Sequence, residues 1–248
     1  MKDIQGLRDY RRIAIRKVGV KHISYPITVL DRAHRLQRTV ATVNMYVNLP
    51  HHFKGTHMSR FVEILNRFRG EINLASLRRI LEEMKDKLQA EAAHLEIEFP
   101  YFLPNRVARP DGIGLNEYRC RMHGSLATKD DLTLEVRVPI APPRPGHGDS
   151  GLPRSLGHWG VAEIAMRCRH FIWIEDLIEL ATEVTGHDLC WPPRTDGEPE
   201  PAALTVESLA RALGRKLQQH PDIGWFSVRV ENFAEGYNTF AMTTSSNA

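Results

Sequence analysis

The chain has few cysteines and no long apolar run. It contains three cysteines, Cys120, Cys168 and Cys190, and no CxxC pair. An odd number of widely spaced cysteines does not suit a disulfide framework and fits a reducing cytoplasm. No segment approaches the roughly 18 apolar residues that a membrane helix needs, and the charged N-terminus lacks the apolar segment of a signal peptide. These absences predict a cytoplasmic protein with no membrane partner.

A strong excess of one charge is also missing. Lysine and arginine number 33 against 30 aspartates and glutamates, which leaves a net charge of +3. This excess is too mild to favour a nucleic-acid partner. Hydrophobic residues make up 42% and charged residues 25% of the 248 residues. The composition is that of an ordinary globular protein of one or two domains with a sizeable core.

The spacing of apolar residues predicts an alternation of strands and helices. Period-2 alternation predicts strands, and apolar stripes every three or four residues predict helices. The predicted strands cover about 17–30, 36–49, 95–99, 116–127, 132–140, 161–168, 223–232 and 238–244. The predicted helices cover about 58–68, 74–88, 173–185 and 203–218. The third helix is expected to turn Glu175 outward.

The element order ββααββ occurs twice in this prediction. We therefore expect a tandem duplication, with one unit over 1–128 and the second over 129–248. Each unit should form an antiparallel sheet with helices on one face, in an α+β fold. Residues 141–156 and 191–201 are rich in proline or glycine and show no periodicity. Loops of this length are functional or disordered, so we expect the site in the second unit.

Four motifs together resemble a known enzyme family. Residues 54–61 read KGTHMSRF, 18–21 read VGVK, 99–102 read FPYF and 230–233 read VENF. In this combination the chain resembles the type IB GTP cyclohydrolases, as a divergent member, over about residues 12–245. The resemblance implies the tunnelling fold, with two ββααββ units in tandem, and a homo-oligomeric barrel, expected to be a tetramer. The sites of such a barrel lie at subunit boundaries.

The resemblance also implies hydrolytic opening of the guanine imidazole ring of GTP, with release of formate, by a metal-bound water. The family's pattern places one metal ligand on His158 of this chain. The other ligand positions carry residues that do not match the pattern, namely Gly146, Tyr237, Thr239 and, in a gapped stretch, Arg194. We therefore expect no metal and no other cofactor. In the alternative, His147, His158 and Cys190 rebuild a site for zinc or manganese.

The resemblance assigns substrate-binding roles to four residues. A helix glutamate of the family matches Glu207, whose carboxylate could accept two N–H bonds from N1 and the 2-amino group of a purine or pterin. Lys54, His57 and Arg60 are candidates for a phosphate site at a helix N-terminus. Simpler roles are also open. Glu207 could serve only the helix dipole, and Thr56 or Ser59 could merely cap the helix.

Three functions follow from these residues. The first is an enzyme acting on GTP or a related purine or pterin by altered, metal-independent chemistry, with His158 and His147 as catalytic groups. The second is ordinary GTP cyclohydrolase activity, which yields dihydroneopterin triphosphate and formate, at a rearranged metal site. The third is a non-catalytic subunit that binds a purine or pterin nucleotide.

Overall fold

The computed structural model describes residues 15–33, 35–50, 57–68, 72–104, 115–127, 130–140, 160–185, 205–233 and 236–245. The strands are β1 (Ile15–Asp31), β2 (Arg35–Leu49), β3 (Ala92–Pro104), β4 (Leu115–Leu126), β5 (Asp130–Ile140), β6 (Gly160–Cys168), β7 (Ile223–Phe233) and β8 (Asn238–Thr244). The helices are α1 (Ser59–Arg67), α2 (Leu74–Lys87), α3 (Ile174–Thr185) and α4 (Val206–Gln218). None of these helices is long and apolar enough to cross a membrane.

The eight strands form one sheet in chain order, from β1 to β8. Pairing is antiparallel between β1 and β2, β2 and β3, β6 and β7, and β7 and β8. Two helices follow β2 and two follow β6. The predicted α+β class with antiparallel strands is therefore confirmed. The duplication and the oligomeric barrel stay predictions.

The chain divides into two compact units. Unit 1 comprises Met1–Pro100 and Cys120–Leu134, and unit 2 comprises Tyr101–Arg119 and Glu135–Ala248. Each unit contains two of the helices and its own apolar core. The predicted boundary between residues 128 and 129 stays a prediction.

The core of unit 1 lies between the sheet and helices α1 and α2. Along β2 and β3 every second residue is buried, as the alternation predicts. The members of this face on β2 are Ala41, Val43, Met45, Val47 and Leu49. A Cβ added to Gly124 would lie 2.6 Å from the Leu81 side chain, so α2 packs closely against β4. In α1 the helical spacing predicts that Met58 and Val62 point inward, but they are 40% and 39% exposed and Ile64 is buried instead.

Side-chain caps fix the starts of two helices. Asn73 Oδ1 accepts from the Ser76 backbone N–H at 2.9 Å, and Ser76 Oγ accepts from the Asn73 N–H at 2.9 Å. Thr205 and Ser208 form the same capping box at α4. These caps satisfy N–H groups that the first helical turn leaves unpaired. They explain why α2 and α4 begin where they do.

The core of unit 2 contains a buried carboxylate that the helical pattern of the sequence predicts to be exposed. Glu175 was expected to point outward, but its side chain is buried and only 6% exposed. Its Oε1 accepts a hydrogen bond from the Tyr101 hydroxyl at 2.6 Å. A buried carboxylate is tolerated when such a partner offsets its lost hydration. The bond therefore joins α3 to the far end of β3 within this unit.

Candidate functional site

Glu207 lies in the first turn of α4, one residue after Val206. Thr205 and Ser208 fix the backbone around it through the capping box, while the Glu207 side chain is exposed. A helix N-terminus presents free N–H groups and the positive end of the helix dipole. The backbone of Glu207 is therefore fixed while its carboxylate is accessible, as a ligand-binding group needs.

The start of α1 lies in unit 1 and has no side-chain cap. The N-cap residue is Met58, whose helical backbone makes no side-chain capping bond. The expectation that Thr56 or Ser59 caps this helix finds no support, since Ser59 is already helical and Thr56 lies outside the described residues. Arg60 is exposed and its backbone N–H donates to the His57 carbonyl at 3.1 Å. The helix has no acidic residue in its first turn. An anion would therefore meet no carboxylate there.

Several predicted site residues lie outside the described residues. They are Lys54, Gly146, His147, His158, Cys190 and Arg194. The roles proposed for them as phosphate ligand, acid–base group or metal ligand stay predictions. Among the residues that the structure describes, no group of three or more His, Cys, Asp or Glu side chains could hold a metal ion.

The hairpin of β7 and β8 carries the motif at 230–233 and two positions where the family pattern has histidines. Tyr237 is 69% exposed, and Thr239 lies opposite Asn232. The phenol of tyrosine is protonated near neutral pH because its ordinary pKa is about 10. A threonine hydroxyl is a weak ligand for zinc, which prefers nitrogen, sulfur and carboxylate oxygen. These two residues therefore do not fit a metal site.

Glu231 is a residue that sequence reasoning left without a role. Its Oε1 accepts from Asn238 Nδ2 at 3.0 Å, and its Oε2 pairs with Arg229 at 3.2 Å. Arg229 in turn lies 5.0 Å from the centre of the Phe240 ring. Glu231 thus ties β7 to the start of β8. Glu231 lies within the VENF motif at 230–233, and this motif could have identified it as a candidate.

The hairpin packs closely against both β6 and α4. A Cβ added to Gly160 on β6 would lie 2.0 Å from the Glu231 carbonyl oxygen. On the other side, a Cβ added to Gly214 on α4 would lie 3.0 Å from Thr243. The helix that carries Glu207 and the strand that carries Glu231 are therefore packed in one unit. His57 and Arg60 belong to the other unit.

Both described cysteines are poor candidates for chemistry. Cys120 is fully buried on β4, as expected for a small apolar side chain. Cys168 is half-buried, and burial followed by the charge of Asp222 raises its thiol pKa to about 11. A thiol with this pKa stays protonated at neutral pH, which makes Cys168 a poor nucleophile.

Comparison with known proteins identifies the family to which the chain belongs. Residues 1–235 match the family described as type I GTP cyclohydrolase FolE2. The chain is 47% identical to the GTP cyclohydrolase FolE2 of Geobacter sulfurreducens over 94% of this chain and 93% of that protein. It is 42% identical to the FolE2 of Syntrophotalea carbinolica over 96% of this chain and 92% of that protein.

Solved structures with a similar fold include urate oxidases. The enzyme of Bacillus sp. TB-90 matches with a TM-score of 0.59 and 10% identity, over 94% of this chain and all of that one. The uricase of Arthrobacter globiformis matches with a TM-score of 0.56 and 8% identity, over 92% of each chain. At this identity the likeness shows the fold alone.

These matches correct the assignment drawn from the motifs. The expectation of a divergent type IB member is wrong, because the matching family is the FolE2 family of type I enzymes. Identities of 42% and 47% across nearly the whole chain give no support to a divergent member. The four altered ligand positions were given more weight than the similarity of the remaining chain.

Proposed function

Because the chain belongs to the type I GTP cyclohydrolase FolE2 family, we propose that it opens the imidazole ring of GTP and releases formate. The product of this reaction is dihydroneopterin triphosphate. The family makes the chain an enzyme of the GTP cyclohydrolase class. The observation that carries the proposal is an exposed glutamate, Glu207, on a capped helix start.

Glu207 binds the guanine edge in this proposal. Guanine presents the N1–H and the 2-amino group side by side, and a carboxylate accepts both in parallel. The capping box holds the first turn of α4, so the carboxylate loses little backbone freedom on binding. A pterin presents the same pair of N–H donors, so substrate and product would share this contact.

The triphosphate is bound in the proposal by Lys54, His57 and Arg60. Exposed Arg60 and half-buried His57 flank the start of α1. An arginine and a histidine N–H donor at a helix start that has no acidic residue in its first turn form a favourable place for phosphate oxygens. Lys54 precedes them in the KGTHMSRF segment.

The reacting centre is assigned to residues 141–158 and 190–201 in the second half of the chain. A bound divalent metal would supply a Lewis acid and lower the pKa of a water. Since Tyr237 and Thr239 do not fit as ligands, we assign metal binding, where it occurs, to His147, His158 and Cys190. His158 is also suited to move a proton near neutral pH. A reaction without a metal is the second candidate, and it is favoured by the same poor fit of Tyr237 and Thr239 as metal ligands.

Formate release tests the proposed reaction. We expect the protein to release about one formate per GTP consumed, and His158→Ala to lower the rate at least about 100-fold, the scale of a lost acid–base group. Tyr237→Phe is the matched control and should retain the rate. The experiment is repeated after chelation and after readdition of zinc or manganese. GTP binding without formate under all conditions would contradict the reaction and favour the non-catalytic function.

We also propose that two tandem ββααββ units assemble into a homotetrameric barrel. The repeated element order supports the duplication, and β1 and β8 are the outer strands of the sheet order. Outer strands leave backbone groups unpaired, and ring closure pairs them. Phe240 and Met242 on β8 are 62% and 61% exposed, which supplies apolar surface for a neighbour.

Light scattering tests the assembly. We expect a mass of about four chains at micromolar concentration, with a dimer at high dilution as the first dissociation product. Phe240→Asp should shift the mass toward smaller species, because a charge would be buried at the contact. Phe171→Asp, at another exposed phenylalanine, is the control. A monomer at micromolar concentration would contradict the barrel.

A further inference from the structure

A row of polar side chains crosses the open face of unit 1. On β2 and β3 the buried residues face the helices, so the alternate residues Tyr46, His94 and Glu96 face the other way. Tyr46 lies opposite His94 in the register of these strands. Lys17 of β1 and Ser125 of β4 contact the two ends of this pair. The row therefore spans four strands.

The side chains of the row are held in place by one another. Lys17 Nζ lies 3.6 Å from the centre of the Tyr46 ring, a cation–π distance. The Tyr46 and His94 rings stack at 4.8 Å with an angle of 18° between their planes. His94 Nδ1 and Ser125 Oγ lie 3.0 Å apart, within hydrogen-bond distance. A flexible lysine and a histidine are thus ordered on an open sheet face.

The carboxylate of the row is already occupied. Glu96 Oε2 accepts from Asn44 Nδ2 at 3.1 Å, and its Oε1 accepts from the Tyr46 hydroxyl at 3.3 Å. Desolvation raises the pKa of Glu96, but these two hydrogen bonds and the charges of His123 and Lys17 outweigh it, so the pKa is lowered. Glu96 is therefore ionised at neutral pH and serves to position Tyr46.

Three basic groups lie near this carboxylate. Lys17, His94 and His123 converge on the same face, and partial burial followed by the charges of His123 and Lys17 lowers the pKa of His94. The lowered pKa of His94 shows that its protonated form is disfavoured among these basic groups, which is a free-energy cost. An anion placed among them would remove that cost and bind with charge-assisted hydrogen bonds.

We propose that Lys17, His94, His123 and Ser125 form a binding site for a small oxyanion of the phosphate type, on the open face of unit 1. Lys17 supplies the permanent charge, the histidines supply N–H donors and Ser125 a hydroxyl. Tyr46 and Glu96 position them. The oxyanion is either free phosphate or the phosphate tail of a nucleotide. The residues of this site are separate from Glu207 and from the group at the start of α1.

The site predicts weaker anion binding as the pH rises. His94 donates best when protonated, and the ordinary histidine pKa is about 6.5. Because the pKa of His94 is lowered, its contribution is lost at a lower pH than that of an ordinary histidine. The charged and titratable groups that face His94 are Lys17 on β1, Tyr46 on β2, Glu96 on β3 and His123 on β4. Sulfate is the probe for this experiment, because its own charge stays constant over the range.

Calorimetric titration of inorganic phosphate tests the site at constant ionic strength. An Arg60→Ala background weakens the other proposed phosphate site, at the start of α1, and is the parent for every variant in this experiment. We expect Lys17→Met and His123→Gln each to weaken phosphate at least about tenfold, which is one lost charge-assisted contact. Lys21→Met, at another exposed lysine of β1, is the control and should bind like its parent. Because Lys17 is exposed, its variant keeps the test valid should the histidine variant fail to fold.

A titration of inorganic triphosphate separates the two sources of the oxyanion. If triphosphate binds at least about tenfold more tightly than phosphate and Lys17→Met removes the difference, the site takes a nucleotide tail. Equal binding of the two assigns it to free phosphate. Phosphate affinities of Lys17→Met and its parent within about twofold, or no phosphate binding in the Arg60→Ala background, would overturn the proposal. Failure of the formate assay would leave this result unaffected.

Discussion

Replacing Glu207 by glutamine is expected to weaken GTP binding by at least about 30-fold. The substitution removes one acceptor and the charge, and it turns an amide N–H donor toward the N–H donors of guanine. A lost charged hydrogen bond together with an unpaired group costs roughly 2–4 kcal/mol. The binding is measured by calorimetry with 7-deaza-GTP, whose five-membered ring resists opening while its N1 and 2-amino edge is unchanged.

Two further variants separate ligand binding from a role in the helix dipole. Glu207→Asp keeps the charge at the start of α4 but shortens the reach, so affinity should fall while the melting temperature holds. Glu183→Gln is the matched control, because Glu183 is an exposed glutamate of the same unit, 3.2 Å from Lys216. A surface pair of this kind contributes little to stability.

The base itself supplies a second control for this prediction. Inosine triphosphate lacks the 2-amino group, so the unaltered protein should bind it more weakly than GTP. In Glu207→Gln the preference for GTP should largely disappear, as expected when one carboxylate carries the discrimination. A preference that survives the substitution would show that another side chain binds the guanine edge.

Much of the fold was predictable because the residues that a strand buries on one face recur at every second position of the local sequence. Val43, Met45 and Val47 alternate with half-buried polar residues in β2, so the alternation identifies both the strand and its inner face. The cap of α2 was predictable for the same reason, since Asn73 and Ser76 lie three residues apart. Local patterns fix these elements without knowledge of the rest of the chain.

Predictions that depend on distant partners failed. Glu175 was expected to be exposed because it lies off the apolar stripe of its helix, yet its partner Tyr101 lies 74 positions away. The polar row of unit 1 was missed for the same reason, since Lys17, Tyr46 and His94 come together only through strand pairing. Period and composition carry no information on such contacts.

The candidate site was predictable only through resemblance. Glu207 is a first-turn glutamate of the ordinary kind, and nothing in its spacing distinguishes a ligand from a residue that serves the helix dipole. The altered positions Tyr237 and Thr239 suggested a divergent protein, but two residues of a hairpin say little about similarity over 242 aligned residues. A site prediction of this kind needs the whole-chain comparison beside the motif.

Gly160 provides the most severe packing constraint near the hairpin of Glu231. Gly160 lies opposite Asn232, and an added Cβ would be 2.0 Å from the Glu231 carbonyl oxygen and 3.0 Å from Asn232 Cα. Both contacts are to backbone atoms, so a side chain cannot rotate away to relieve them. Strands β6 and β7 must separate at this point to accept even a methyl group.

Gly160→Ala is therefore expected to destabilise the protein by roughly 3 kcal/mol, the upper part of the range for overpacking. In a chain of this size that corresponds to a fall of roughly 6–12 °C in melting temperature, measured at fixed protein concentration. Gly224→Ala is the control, because its added Cβ would meet the flexible Arg169 side chain at 3.3 Å. Both variants lower the entropy of the unfolded chain alike, so their difference reports the backbone clash. A Gly160→Ala protein that melts within about 1 °C of the Gly224→Ala protein would show that the two strands yield without cost.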